Sequence, residues 1–84
     1  MKTIHAVVSR TQEMNGTRIA LLVQTACGFD SEIRLSCEGR KMNAKSLMGV
    51  FTLGLMSGKA VEITAFGEDE EKAAEGVAAF LQEA

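Results

Sequence analysis

The sequence has no proline, tryptophan or tyrosine, only two cysteines and a single histidine. Cys27 and Cys37 are too few for a disulfide framework, and neither has a neighbouring His or Cys at metal-ligand spacing. Both are expected as small buried hydrophobes. No uninterrupted apolar run is longer than the five residues of Ile19 to Val23, far short of the ~20 that a membrane span requires. The start, Met-Lys-Thr-Ile-His, lacks the apolar stretch of a signal peptide. A cytoplasmic protein without membrane contact is the expectation. No Gly/Ser/Pro linker, repeat or low-complexity tract divides the 84 residues, which predicts one domain over 1–84. A chain of this size buries only about 60% of the surface its unfolded form exposes, leaving little room for an enclosed active site and excluding a large multi-substrate enzyme.

What is present is ordinary for a compact soluble domain: 46% apolar residues, 24% charged residues and a mean hydropathy close to zero. The formal charge of −2 argues against direct nucleic-acid binding, because phosphate neutralisation needs clustered excess cations. The charge is unevenly spread, with a balance of +4 over residues 1–60 and −6 over residues 61–84. An acidic surface helix at the end of the chain is enough to produce that split.

Periodicity supplies the elements. Ile4, Ala6 and Val8 alternate with Thr3, His5 and Val7, as in a half-buried strand. From Ile19 the period becomes helical through Leu22, Val23 and Ala26, which predicts a first helix from about Gly16 to Cys27. Asn15 is its N-cap, Met14 and Ile19 form a staple across it, and Gly28 is expected as the left-handed residue that ends it. Ile33, Leu35 and Cys37 alternate with Glu32, Arg34 and Ser36, and Glu38-Gly39 makes a tight turn into a strand over Arg40 to Asn43. Ser46 caps a short apolar helix from Leu47 to about Leu53, broken by Gly54 and Gly58. Val61, Ile63 and Ala65 mark a fourth strand closed by Gly67. Ala73, Ala74, Val77 and Leu81 form the apolar stripe of a tail helix expected over Glu68 to Glu83, with acids in its first turn. The order β-α-β-β-α-β-α fits an α+β sandwich with helices on one face of an antiparallel sheet; a ferredoxin-like βαββαβ module with an extra helix fits it too.

Candidate chemistry is sparse. His5 has no partner motif and sits on the outer face of its strand, so it is expected as an exposed sheet residue rather than a general base or ligand. The run Glu68-Asp69-Glu70-Glu71 lacks the ligand spacing of a calcium loop and falls where a helix starts. The glycines form no phosphate cradle. No metal, cofactor or enzymatic activity is expected. Ser46 is more informative, because the free N–H groups of the short helix point outward beside its hydroxyl. A phosphate there would add about −1.5 to −2 charges at a positive dipole end beside Lys45, tightening the helix start and offering an anchor to a partner's Arg. An unmodified N-cap serine is the commoner use of this residue type, and spacing alone does not select phosphorylation.

Three segments carry a family resemblance: Leu22-Val23-Gln24-Thr25-Ala26, Asn43-Ala44-Lys45-Ser46-Leu47-Met48-Gly49-Val50 and Ala65-Phe66-Gly67-Glu68-Asp69-Glu70. Together they resemble HPr, the histidine-containing phosphocarrier of the bacterial sugar phosphotransferase system, and the block around Ser46 is similar to the family's regulatory serine signature. The resemblance implies an open-faced β-sandwich, a four-stranded antiparallel sheet with three helices on one face, in place of the ferredoxin-like alternative. It departs from the family at one point. HPr carries its phosphate on a histidine in a His-Ala-Arg-Pro pattern, and this chain has Asn15-Gly16-Thr17-Arg18 there. An Asn amide nitrogen is delocalised into its carbonyl and is neither basic nor nucleophilic. Arg18 stands about 100° further round the helix than the family's arginine.

The resemblance thereby points to the regulatory branch of the family, similar to the catabolite-repression HPr proteins, which keep the serine and lack the histidine. It implies phosphorylation of Ser46 by HPr kinase/phosphorylase, with a catabolite-control transcriptional regulator or phosphotransferase-system enzymes as further partners. It also implies an apolar contact surface that Leu47, Met48 and Phe51 match, and Arg18 and Lys45 are expected to join them in the partner surface. Helical spacing independently aligns Leu47, Met48 and Phe51 on one side, though for Phe51 core packing fits the pattern as well. The alternative from a different class is a phosphorylation-independent interaction module that docks on phosphotransferase-system enzymes or another partner.

Overall fold

The computed structural model describes residues 1–10 and 14–83. The elements are β1 (Lys2–Val7), α1 (Gly16–Cys27), β2 (Glu32–Cys37), β3 (Arg40–Asn43), α2 (Leu47–Leu53), β4 (Ala60–Phe66) and α3 (Glu70–Gln82). All strand pairs are antiparallel in the order β1-β4-β2-β3. The register sets Ile4 beside Ile63 and Ile63 beside Leu35, so the alternating apolar residues of three strands meet on one face. Against that face pack α3, over β1 and β4, then α1 against α3, and α2 against α1 and β3. Leu22, Ile33, Leu35, Val50, Ile63, Val77 and Leu81 are fully enclosed between the layers. The fold is the expected open-faced α+β sandwich, with four antiparallel strands and three helices.

Three local expectations are corrected. Gly28 is right-handed, at φ −73° and ψ −8°, and not the left-handed terminator. The last turn of α1 tightens instead, Gly28 donating to Thr25 O and Phe29 to Ala26 O, and these i to i−3 bonds satisfy carbonyls without a positive φ. Cys27 is exposed and only Cys37 is buried. Ile19, Leu22 and Ala26 form the inward stripe of α1, and Cys27 follows Ala26 by about 100°, on the solvent side. Finally, α3 starts at Glu70, not Glu68.

The late start of α3 has a long-range cause. Asp69 occupies the cap position but makes no side-chain bond to its own helix. Its carboxylate accepts from the backbone N–H of Asp30 and of Ser31, both at 2.9 Å, and from the Ser31 hydroxyl. Ser31 is the one buried polar residue among those described, and Asp69 satisfies it. Gly67 completes the junction at φ +152°, where a Cβ would stand 2.6 Å from Ser31 Oγ and 2.8 Å from its Cα. Glu70 then accepts from Gly67 N–H at 3.2 Å and pairs with the Met1 ammonium at 2.7 Å. The Ser31 hydroxyl, followed by the Asp30 and Ser31 amides, holds the Asp69 carboxyl below the usual carboxylate range.

Two predictions follow from this junction. Because the folded state depresses the Asp69 pKa, its stabilisation is complete above the unfolded value of about 4 and is lost as pH falls through the folded value. Asp69→Asn should therefore be less stable than the parent at neutral pH, and the gap should narrow on acidification in urea melts run at about pH 7 and about pH 3. Gly67→Ala should lose about 1–3 kcal/mol by the same measurement, since the new methyl has no space beside Ser31.

Candidate functional site

The residues singled out by sequence gather at the starts of α1 and α2. Asn15 adopts an extended backbone, at φ −81° and ψ 179°, and its Oδ1 accepts from Arg18 N–H at 3.0 Å. Its carboxamide is exposed and serves as the expected cap. The entry to α2 is built by a turn in which Asn43 Oδ1 accepts from Lys45 N–H at 2.9 Å and Asn43 O accepts from Ser46 N–H at 3.0 Å. Ser46 is also extended, at φ −103° and ψ 112°, and its half-buried hydroxyl oxygen accepts from Gly49 N–H at 3.2 Å. Behind it, Val50 and Leu53 anchor the helix in the core.

The outward side of α2 is apolar. Leu47 is 45%, Met48 78% and Phe51 50% exposed, which settles the open question of Phe51 in favour of the surface. The Phe51 ring reaches the start of α1, where a Cβ on Gly16 would lie 3.6 Å from its Cζ. Met56, 61% exposed, extends the apolar surface beyond the helix. Met14, Leu55, Met56 and Ser57 line a shallow depression of about 280 Å³ there. Sequence reasoning did not assign Met14 and Met56 to this surface. The signal for Met56 was the excess of apolar residues between Leu47 and Met56 over what one buried face of a short helix can use.

Two cations expected at this surface are engaged elsewhere. Lys45 is half-buried and its Nζ donates to Phe29 O at 2.6 Å, beyond the end of α1. Arg18 stacks its guanidinium on Phe80 of α3, 4.5 Å from the ring centroid, and its buried Nε makes no hydrogen bond among the described residues. Helix geometry explains the separation: Gly16 faces Phe51, and two residues later Arg18 lies about 200° around α1, against α3. His5, as expected, is an exposed sheet residue, with Nε2 3.0 Å from Glu62 Oε2. No three His, Cys, Asp or Glu side chains converge at metal-binding distance among the described residues.

The geometry thus sets a hydroxyl at the start of α2 beside an exposed apolar patch, with a capping carboxamide at the start of α1. The family model for the PTS HPr component phosphorylation site matches residues 3–83. The chain belongs to the HPr family. Within it, the chain is a Crh-like member: it is 47% identical over 64 residues to HPr-like protein Crh of Bacillus subtilis (strain 168), covering 76% of this chain and 75% of that protein. It is 43% identical over 63 residues to HPr-like protein Crh of Halalkalibacterium halodurans, covering 75% of each. Among solved structures, the phosphocarrier protein HPr from Bacillus anthracis str. Ames superposes with a TM-score of 0.91 at 34% identity, covering 96% of both chains. This HPr-family chain thus shares the open-faced sandwich of its relatives.

The two side-chain placements are separable by mutation. Arg18→Ala should cost about 1 kcal/mol, because it removes a partly buried cation–π contact and its aliphatic packing. Phe51→Asp should shift stability by less than about 0.5 kcal/mol, since the ring packs on the surface. Chemical denaturation of both variants beside the parent measures the contrast.

Proposed function

We propose that this HPr-family chain is a regulatory protein of the bacterial phosphotransferase system and carbon catabolite repression, switched by phosphorylation of Ser46, and not a phosphocarrier. It is a protein-binding partner and not an enzyme, and it works in the cytoplasm. The observation that carries this reading is the Ser46 hydroxyl at the start of α2 beside exposed Leu47, Met48 and Phe51. A kinase can dock on the apolar patch and find the acceptor oxygen adjacent to it. HPr kinase/phosphorylase fits that role, and a catabolite-control transcriptional regulator fits the phosphorylated surface.

Asn15 supports the second half of the reading. A neutral, capping carboxamide offers no basic lone pair to accept a high-energy phosphoryl group. Ser46 suits a switch because a phosphate there adds about −1.5 to −2 charges at the positive end of α2 and three acceptor oxygens for a partner's cations. Thr17 and the stacked Arg18 leave regulator docking to rest on the phosphoserine and the apolar patch.

Incubation with HPr kinase and ATP should place one phosphate on Ser46, read by peptide mass spectrometry and absent from Ser46→Ala. An unmodified Ser46 beside a fully modified control HPr contradicts the switch. Incubation with enzyme I and phosphoenolpyruvate should leave the chain unlabelled; acid-labile phosphate on any residue contradicts the loss of carrier activity. The exposed patch also favours a second reading, docking independent of phosphate. That reading prevails if partner binding survives Ser46→Ala and is lost in Phe51→Asp.

A further inference from the structure

We infer that Gly49 sets how fast Ser46 can be phosphorylated, by leaving the space that its hydroxyl needs in order to react. The inference rests on Ser46 being the phosphoacceptor and adds a residue that touches neither the phosphoryl donor nor the partner patch. Gly49 lies on α2 one turn from Ser46, and its N–H donates to Ser46 Oγ at 3.2 Å. A Cβ on residue 49 would stand 3.2 Å from Ser46 Oγ and 3.4 Å from Ser46 Cβ. On its other side it would meet Met42 Cβ of β3 at 3.5 Å. The methyl of an alanine would crowd the acceptor hydroxyl while meeting the strand at ordinary contact distance.

Local propensity disfavours glycine at this position. Glycine is the weakest helix former apart from proline, and Gly49, in the first turn of α2, has no positive φ to justify it. Crowding at Ser46 supplies the missing reason. In phosphorylation the Ser46 oxygen attacks the γ-phosphorus of a nucleoside triphosphate. The new O–P bond forms as the bridging bond to the β-phosphate breaks, the nucleoside diphosphate leaves, and the hydroxyl proton passes to a base of the kinase. The oxygen must keep a lone pair directed at phosphorus while it holds the Gly49 N–H, and afterwards it must carry three further oxygens. A side chain at position 49 presses on that atom. It leaves Leu47, Met48 and Phe51, on the outward side of α2, in place.

Gly49→Ala tests this, because crowding and docking are then read apart. With kinase and ATP, the parent should be phosphorylated on Ser46. Gly49→Ala should melt at or above the parent's temperature, retain the parent's KM and lose about tenfold or more in kcat. Phe51→Asp should show the reverse, a raised KM with kcat largely kept. Phosphorylation of Gly49→Ala at the parental kcat overturns the inference. So does a variant that melts early or loses kinase binding, since glycine is then required for packing and not for access. A parent that takes no phosphate overturns the reading of Ser46 itself, a result distinct from failure at Gly49.

Discussion

Ile4, Ile63 and Leu35 lie side by side across β1, β4 and β2, and this row fixes which face of the sheet is apolar. With one face to cover, three helices complete the core, and the other face keeps His5, Glu62 and Arg34 in water. Leu22 of α1 and Val77 and Leu81 of α3 fill the space above the row. Little buried surface is left for α2, which contributes Val50 and Leu53 and keeps Leu47, Met48 and Phe51 outside. The exposed apolar patch is thus a consequence of the size of the core: a seven-residue helix with more apolar side chains than the sandwich can bury must show some of them.

Charge is placed by the same economy. Among the described residues, no helix carries a basic residue in its last turn. Cations arrive from other elements: Lys45 donates to Phe29 O just past α1, and Arg40 of β3 donates to Thr52 O in the last turn of α2 at 2.5 Å. These contacts complement the negative ends of the helices and tie loops and strands to them. The basic front of the chain is therefore partly committed to internal structure, and Arg18 follows the same course by stacking on Phe80. At the acidic end, Asp69 and Glu70 bind N–H groups and the amino terminus, with the Met1 ammonium and then the Gly67 N–H holding the Glu70 carboxyl below its ordinary range.

What depends on local pattern was legible in the residues alone. The limits of α1 and α2, the caps Asn15 and Ser46, the inward residues of all three long strands and the turn at Glu38-Gly39 are set by neighbours within a few positions. What escaped depends on contacts between distant residues. Asp69 leaves its helix for partners 38 and 39 residues away, and no helical pattern signals that. The Lys45 and Arg18 side chains are long enough to choose among partners, and only the assembled layers show which carbonyl or ring lies within reach. Cys27 and Phe51 sit at the margin of an apolar stripe, where one helical step decides between core and solvent.

The cap oxygen of Ser46 is at once a structural acceptor for Gly49 N–H and the proposed site of modification, so the account stands or falls on the state of that atom in the cell. The most direct measurement is mass spectrometry of the Ser46 peptide in protein isolated from its native host during growth on a rapidly used sugar. The expected result is phosphate on Ser46 and none on Asn15. A Ser46 left unmodified under that condition, while other proteins of the same extract retain their phosphoserines, would contradict it.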